Sequence, residues 1–172
     1  FSYVVLGAGF FTTQKAQETV HTGVSQATSA VEPSGPVSVK ADSDSTIGTI
    51  TFYLQLAAGG SGVDMSKVTY TVSTPKLVKT FTNSSVSYNW VKVQSGTDSA
   101  HTAACSGSIG ASNCGILSAR EMVLVTVTPD FAANMGPNDK FIVEVKPPIG
   151  AALPISRTIP GGLVTDQVYE VF

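Results

Sequence analysis

Histidines, cysteines and paired carboxylates most often carry proton transfer, metal binding and nucleophilic attack, so their spacing is the natural starting point. The chain has two histidines, His21 and His101, widely separated in sequence. No H-E-x-x-H or C-x-x-C spacing occurs, so the usual zinc arrangements are missing from the sequence. There is no G-x-S-x-G elbow and no phosphate-binding loop. Asp98 and His101 lie close together in a serine-rich stretch. A hydrolytic triad is defined by geometry, and almost any such stretch could be imagined to supply one. No catalytic residue, metal site or cofactor is therefore expected, and His21 is expected to be solvated or to lie between subunits.

Three weaker signals remain. Asp42-Ser43-Asp44 opens like a calcium loop, but Thr46 holds the fifth position and Ile47 the position that should be glycine. It reads better as a polar turn before a long strand. Asn83-Ser84-Ser85 is the sole N-x-[ST] sequon, in a polar turn between two strand candidates where a glycan acceptor would be exposed. Cys105 and Cys114 are the two cysteines. Their spacing and their Ser/Thr-rich setting fit one local disulfide in an oxidising compartment, the alternative being two buried free thiols.

The elements that would carry these residues are of two kinds. Residues 1–31 read as one helix, stopped by Glu32-Pro33-Ser34-Gly35-Pro36. Its first part, Phe1 to Phe11, is apolar all round, and its first charge is Lys15. Ala16, Val20, Gly23/Val24, Ala27 and Val31 then form a stripe at spacings of three and four, mostly of small residues that let another helix approach closely. The apolar tract is shorter than the ~20 residues that span a bilayer. It reads as the end of a longer apolar segment, and a start at Phe1 rather than Met reads as processing, truncation or a partial sequence.

From Val37 onward the period becomes two. Ile50, Phe52, Leu54 and Leu56 alternate with Thr49, Thr51, Tyr53 and Gln55, and Val68, Tyr70 and Val72 alternate with hydroxyls. Further strands are expected at 76–82, 86–93, 122–128, 140–145, 153–158 and 167–172, with Phe141, Val143 and Val145 inward and Trp90 in the core. Gly- and Pro-rich turns separate them, which indicates a sandwich or barrel. Residues 98–120 have the composition of a flexible loop. Two units follow: a helix over 1–35 and a β-domain over 36–172.

Charged residues are 13% of the chain, about half the usual share. The net charge of −2 gives no electrostatic grip on nucleic acid, and no basic cluster addresses anionic lipid. A chain this poor in charge stays soluble through hydroxyls and turns, or hides its surface against copies of itself.

Two segments carry a family resemblance. One is Val-Val-Leu-Gly-Ala-Gly-Phe-Phe11-Thr-Thr-Gln-Lys15-Ala-Gln-Glu-Thr; the other, more specific, runs Gly136-Pro-Asn-Asp-Lys-Phe-Ile-Val-Glu-Val-Lys-Pro-Pro-Ile-Gly-Ala151-Ala-Leu-Pro-Ile-Ser-Arg-Thr158-Ile-Pro. Both resemble archaellin, the archaeal flagellin; between about residues 58 and 120 the likeness is loose. The resemblance implies a precursor with a basic leader removed by a prepilin-type peptidase. It implies N-terminal helices bundled into a filament core, immunoglobulin-like β-sandwich domains forming the outer wall, and N-linked glycan, here on Asn83. The expected fold is thus mainly β, with an N-terminal apolar α-helix. The expected partners are identical or closely related subunits in an open helical filament, with a membrane only before assembly. The core is expected to contain Phe1, Tyr3, Val4, Val5, Leu6, Phe10, Phe11, Ala16, Val20, Val24 and Ala27. The sequence departs from the family at its start, where the family helix has a longer apolar tract. The competing readings are a type IV pilin-like adhesive or surface-layer module, with 98–120 as its receptor loop, and a secreted hydrolase or sugar-binding sandwich.

Overall fold

The computed structural model describes residues 30–82, 85–93, 115–130 and 135–172. Within them the chain is built from antiparallel strands: β1 (Val31–Pro33), β2 (Val37–Ser43), β3 (Thr46–Leu56), β4 (Val63–Asp64), β5 (Thr69–Ser73), β6 (Val78–Phe81), β7 (Val86–Lys92), β8 (Ile116–Leu117), β9 (Met122–Val127), β10 (Lys140–Lys146), β11 (Leu153–Thr158) and β12 (Val168–Val171). A short 3-10 turn, Met65–Lys67, follows β4.

The first sheet has the order β12-β2-β3-β9-β7, with β1 also on β3; the second has the order β11-β10-β5-β6. β4 and β8 pair with each other alone. Alternation decides which side chains meet. Val37, Val39 and Ala41 on β2, Ile50, Phe52 and Leu54 on β3, and Val123, Val125 and Val127 on β9 are buried, while their neighbours in sequence are not. Tyr70, Val72, Phe141, Val143, Val145 and Ile155 do the same for the second sheet. Both sets belong to one core cluster. Tyr70 of β5 touches Phe52 of β3 and Tyr88 of β7, with ring centroids 6.2 and 6.3 Å apart, so the sheets face each other through aromatic contacts. Trp90 is buried on β7. Burial pushes the Tyr88 hydroxyl up to about 12 and, together with Tyr88 nearby, holds the Tyr70 hydroxyl well above its ordinary range. Both rings therefore sit in the core as neutral groups, and Tyr88 donates to the Met65 carbonyl at 3.0 Å.

Two expectations need correcting. The helix expected through residue 31 cannot extend that far, because Val31, Glu32 and Pro33 pair with Leu56, Gln55 and Leu54. Val31 is buried in the β core, and a residue before proline, as Glu32 is, favours extended backbone. Strand pairing thus starts five residues before position 36. The remainder of that helix, residues 1–29, lies outside the described residues. The loop expected through residue 120 also ends early: Ile116 and Leu117 form β8 on Asp64 and Val63, and Leu117 is buried.

The β2–β3 hairpin carries register shifts around Ala41. Opposite the shift, a Cβ on Gly48 would lie 2.9 Å from the Asp42 Cβ, so this strand position accepts only glycine without movement.

Candidate assembly surface

The loops at the sheet ends are held by carboxylates acting on backbone. Asp44, in the β2–β3 turn, accepts from the Thr165 amide at 2.8 Å and its hydroxyl at 2.7 Å, which joins this turn to the segment before β12. Asp64 accepts from the Ser66 amide and hydroxyl and caps the 3-10 turn. Asp139 accepts from the Gly136 amide at 2.9 Å and from Lys76 Nζ at 3.3 Å. All three carboxyls are held below their usual range: Asp44 by the Thr165 hydroxyl first, Asp64 by the Ser66 hydroxyl first, Asp139 by the Gly136 amide first.

Ion pairs at Lys40–Asp166, Lys67–Asp64, Lys76–Asp139 and Lys79–Asp130 lie at the surface. Two shallow depressions flank the first sheet. One is bordered by Lys40, Asp42, Thr49 and Thr128, the other by Gln55, Lys92, Arg120 and Glu121. Among the described residues no three His, Cys, Asp or Glu side chains cluster in a way that could hold a metal. What the surface does present is apolar side chains on sheet edges and turns, including Val78, Val91, Ile116, Ile149, Val164 and Val168. These side chains leave apolar area open to solvent.

Most of the residues singled out in the sequence fall outside the described set. Asn83, Asp98, His101, Cys105, Cys114, His21 and the core positions Phe1, Tyr3, Val4, Val5, Leu6, Phe10, Phe11, Ala16, Val20, Val24 and Ala27 are all there. Their flanks are described. The Ser85 amide donates to the Thr82 carbonyl at 3.1 Å, closing the β6–β7 connection around residues 83–84. The Met65 amide donates to the Gly115 carbonyl at 3.2 Å, fixing the end of the cysteine segment. Asp42-Ser43-Asp44 leads from β2 into the turn before β3, and Asp44 is engaged with Thr165.

The sequence reading missed Glu121, a buried carboxylate whose Oε2 accepts from the Ser118 amide at 2.8 Å. An S-x-x-E spacing marks such a reciprocal turn, since the Glu121 amide also donates to the Ser118 carbonyl. It also missed that Lys92 and Arg120 border one depression. Pairing of Lys92 with Met122 brings them together, and no local pattern signals it.

Known proteins share both this plan and this sequence. The archaeal-type flagellin profile matches residues 1–157. A probable flagellin of Archaeoglobus fulgidus is 43% identical over 167 residues, covering 93% of this chain and 80% of the relative. The archaeal flagellum of Methanospirillum hungatei superposes with a TM-score of 0.66 at 29% identity, covering 100% of this chain and 88% of that one. An archaeal flagellin of Methanocaldococcus jannaschii superposes at 0.62 over 82% of this chain and 95% of that one, and at 13% identity it shows likeness of fold alone. The chain belongs to the archaeal-type flagellin family.

Proposed function

We propose that this chain is the repeating subunit of an archaellum, an extracellular filament on the cell surface used for swimming and adhesion. The likeness that carries the reading is the one to an archaeal flagellum, which runs the full length of the chain, apolar N-terminal segment included. The role is structural, not catalytic.

The physical logic runs from residues 1–29. The apolar tract Phe1–Phe11, which opens the proposed helix, has to be covered, and burial contributes roughly 25 cal/mol per Å². The β-domain has its own closed core, so neighbouring copies supply the cover. A head-to-tail contact that does not close on itself produces an open helical polymer. The same segment suits a bilayer before assembly and a helix bundle afterwards, both being apolar. The immunoglobulin-like arrangement of the outer wall belongs to the same proposal; two facing antiparallel sheets with non-sequential neighbours support it. N-glycosylation of Asn83, between β6 and β7 in sequence, and a Cys105–Cys114 disulfide belong to the same proposal.

Assembly tests the reading. Deletion of Phe1–Phe11 should leave a folded, monomeric β-domain that no longer polymerises. Val5→Asp should also block polymerisation, since an unpaired buried carboxylate costs several kcal/mol in every subunit. Gln17→Asp should be far milder. Normal filaments from the deletion and from Val5→Asp would place the core elsewhere.

A further inference from the structure

Among the described residues, β12 and β7 stand at the two ends of the first sheet's strand order. Edge strands are usually blunted with mixed charge or proline, and β11 of the second sheet does carry Pro154. The two outer strands of the first sheet are finished differently. Along β12, Val168 is 62% exposed, and Val164 is exposed just before it, in a turn closed by the Gln167 amide on the Val164 carbonyl. The exposed charge between them and the strand end is acidic. Glu170 forms no ion pair among the described residues, and Asp166, paired with Lys40, remains largely open to solvent.

The opposite side has the same apolar character and the opposite sign. A register shift between Trp90 and Lys92 turns both Val91 and Lys92 outward, a re-aiming that bulges typically produce at edges. Val91 is 54% exposed. Lys92 and Arg120 border one depression, and neither forms an ion pair among the described residues.

We propose that the β12 edge of one copy docks on the β7 edge of the next, valines against Val91, and Glu170 against Lys92 and Arg120. The occupant is a second copy of this chain because the two patches complement each other in both charge and apolar content. They lie at opposite ends of the first sheet, so the contact is heterologous, and within the proposed filament it repeats from copy to copy. The inference rests on the filament reading and assigns the outer-wall contact within it.

Charge reversal on the full chain tests it. Glu170→Lys makes both patches basic; Lys92→Glu with Arg120→Glu makes both acidic. Each variant alone should raise the critical concentration for polymerisation roughly tenfold, since like charges then face each other. Both should fold as wild type, judged by circular dichroism and melting. An equimolar mixture should co-assemble near the wild-type concentration, because each patch then meets its opposite on the other variant, and the triple variant should also recover. Wild-type polymerisation from either variant alone, or no recovery in mixture and triple variant, overturns the contact while leaving the filament reading intact. A wild-type chain that never polymerises overturns the filament reading and the contact with it.

Discussion

Removing the Asp139 carboxylate should cost about 1–2 kcal/mol of stability, through the backbone it holds rather than through its ion pair. The Gly136 amide donates to Asp139 Oδ2, the Asp139 amide donates to the Gly136 carbonyl, and the Ile159 amide donates to the Asp139 carbonyl at 2.9 Å. One four-residue turn therefore ties the start of β10 to the chain beyond β11. The Asp139 side chain is only 23% exposed, so in Asp139→Ala the Gly136 amide is left poorly solvated and without its acceptor. Asp139→Asn keeps an oxygen there and should cost less, about 0.5–1 kcal/mol, since hydrogen bonds to a charged acceptor are the stronger kind. Lys76→Ala should cost no more than about 0.5 kcal/mol, because Lys76 is well exposed and such pairs are screened.

The pH dependence separates these causes. The Asp139 carboxyl is held below its ordinary value of about 3.9. A depressed carboxylate contributes stability above the unfolded value and loses it as pH falls through the folded one. Urea unfolding of dispersed subunits near neutrality should show the full penalty for Asp139→Asn, and unfolding in acid below the folded-state value should show almost none. An equal penalty at both pH values would refute the reasoning. So would a Lys76→Ala cost matching that of Asp139→Ala, which would make the ion pair the cause.

Other outcomes follow from the same geometry. Asp44 and Asp64 are also held below their usual range, so wild-type stability should fall as pH drops below about 4, measured by melting across acid pH. Tyr88→Phe removes the bond to the Met65 carbonyl and should cost about 1 kcal/mol in urea unfolding, with the core otherwise filled. Gly48→Ala forces the β2–β3 shift apart and should lower the melting temperature, whereas Gly59→Ala faces open space and should suffer mainly from its backbone angle. Intact mass before and after reduction should show one disulfide, and freely alkylated thiols in unreduced protein would exclude it. Peptide mapping of native material should show glycan on Asn83.

Much of the fold was legible because period two is a physical signature. β3, β5, β9 and β10 each present one apolar face, and those faces are the ones the core uses. β2 carried the same signal in Val37, Val39 and Ala41, blurred by its register shift. β1 was not legible: Val31 continues a spacing of four from Ala27, which reads as helix, and only its pairing with β3 makes it strand. β4 and β8 are two residues each and exist as strands only through one another. The surface was least legible, because alternation says which side chains point outward but not which of them become neighbours across strands. Lys92 and Arg120 illustrate the gap.

The missed strand carries a consequence for the proposed filament. β3 is the central strand of its sheet, flanked by β9 on one side and by β2 and β1 in succession on the other. The Ser34 amide donates to the Tyr53 carbonyl at 3.0 Å, bridging the gap between β1 and β2 on that side. A pull on the chain ahead of Val31 is therefore delivered into the middle of the sheet, with β1 and β2 bonded in succession along β3. The Ala57 amide on the Ala30 carbonyl at 3.1 Å extends that ladder to the first described residue. A subunit held by the proposed N-terminal helix and loaded through its outer domain would pass force through β1 and β2 into β3. In the proposed filament, β3 is then the strand through which the chain ahead of Val31 is anchored to the rest of its sheet.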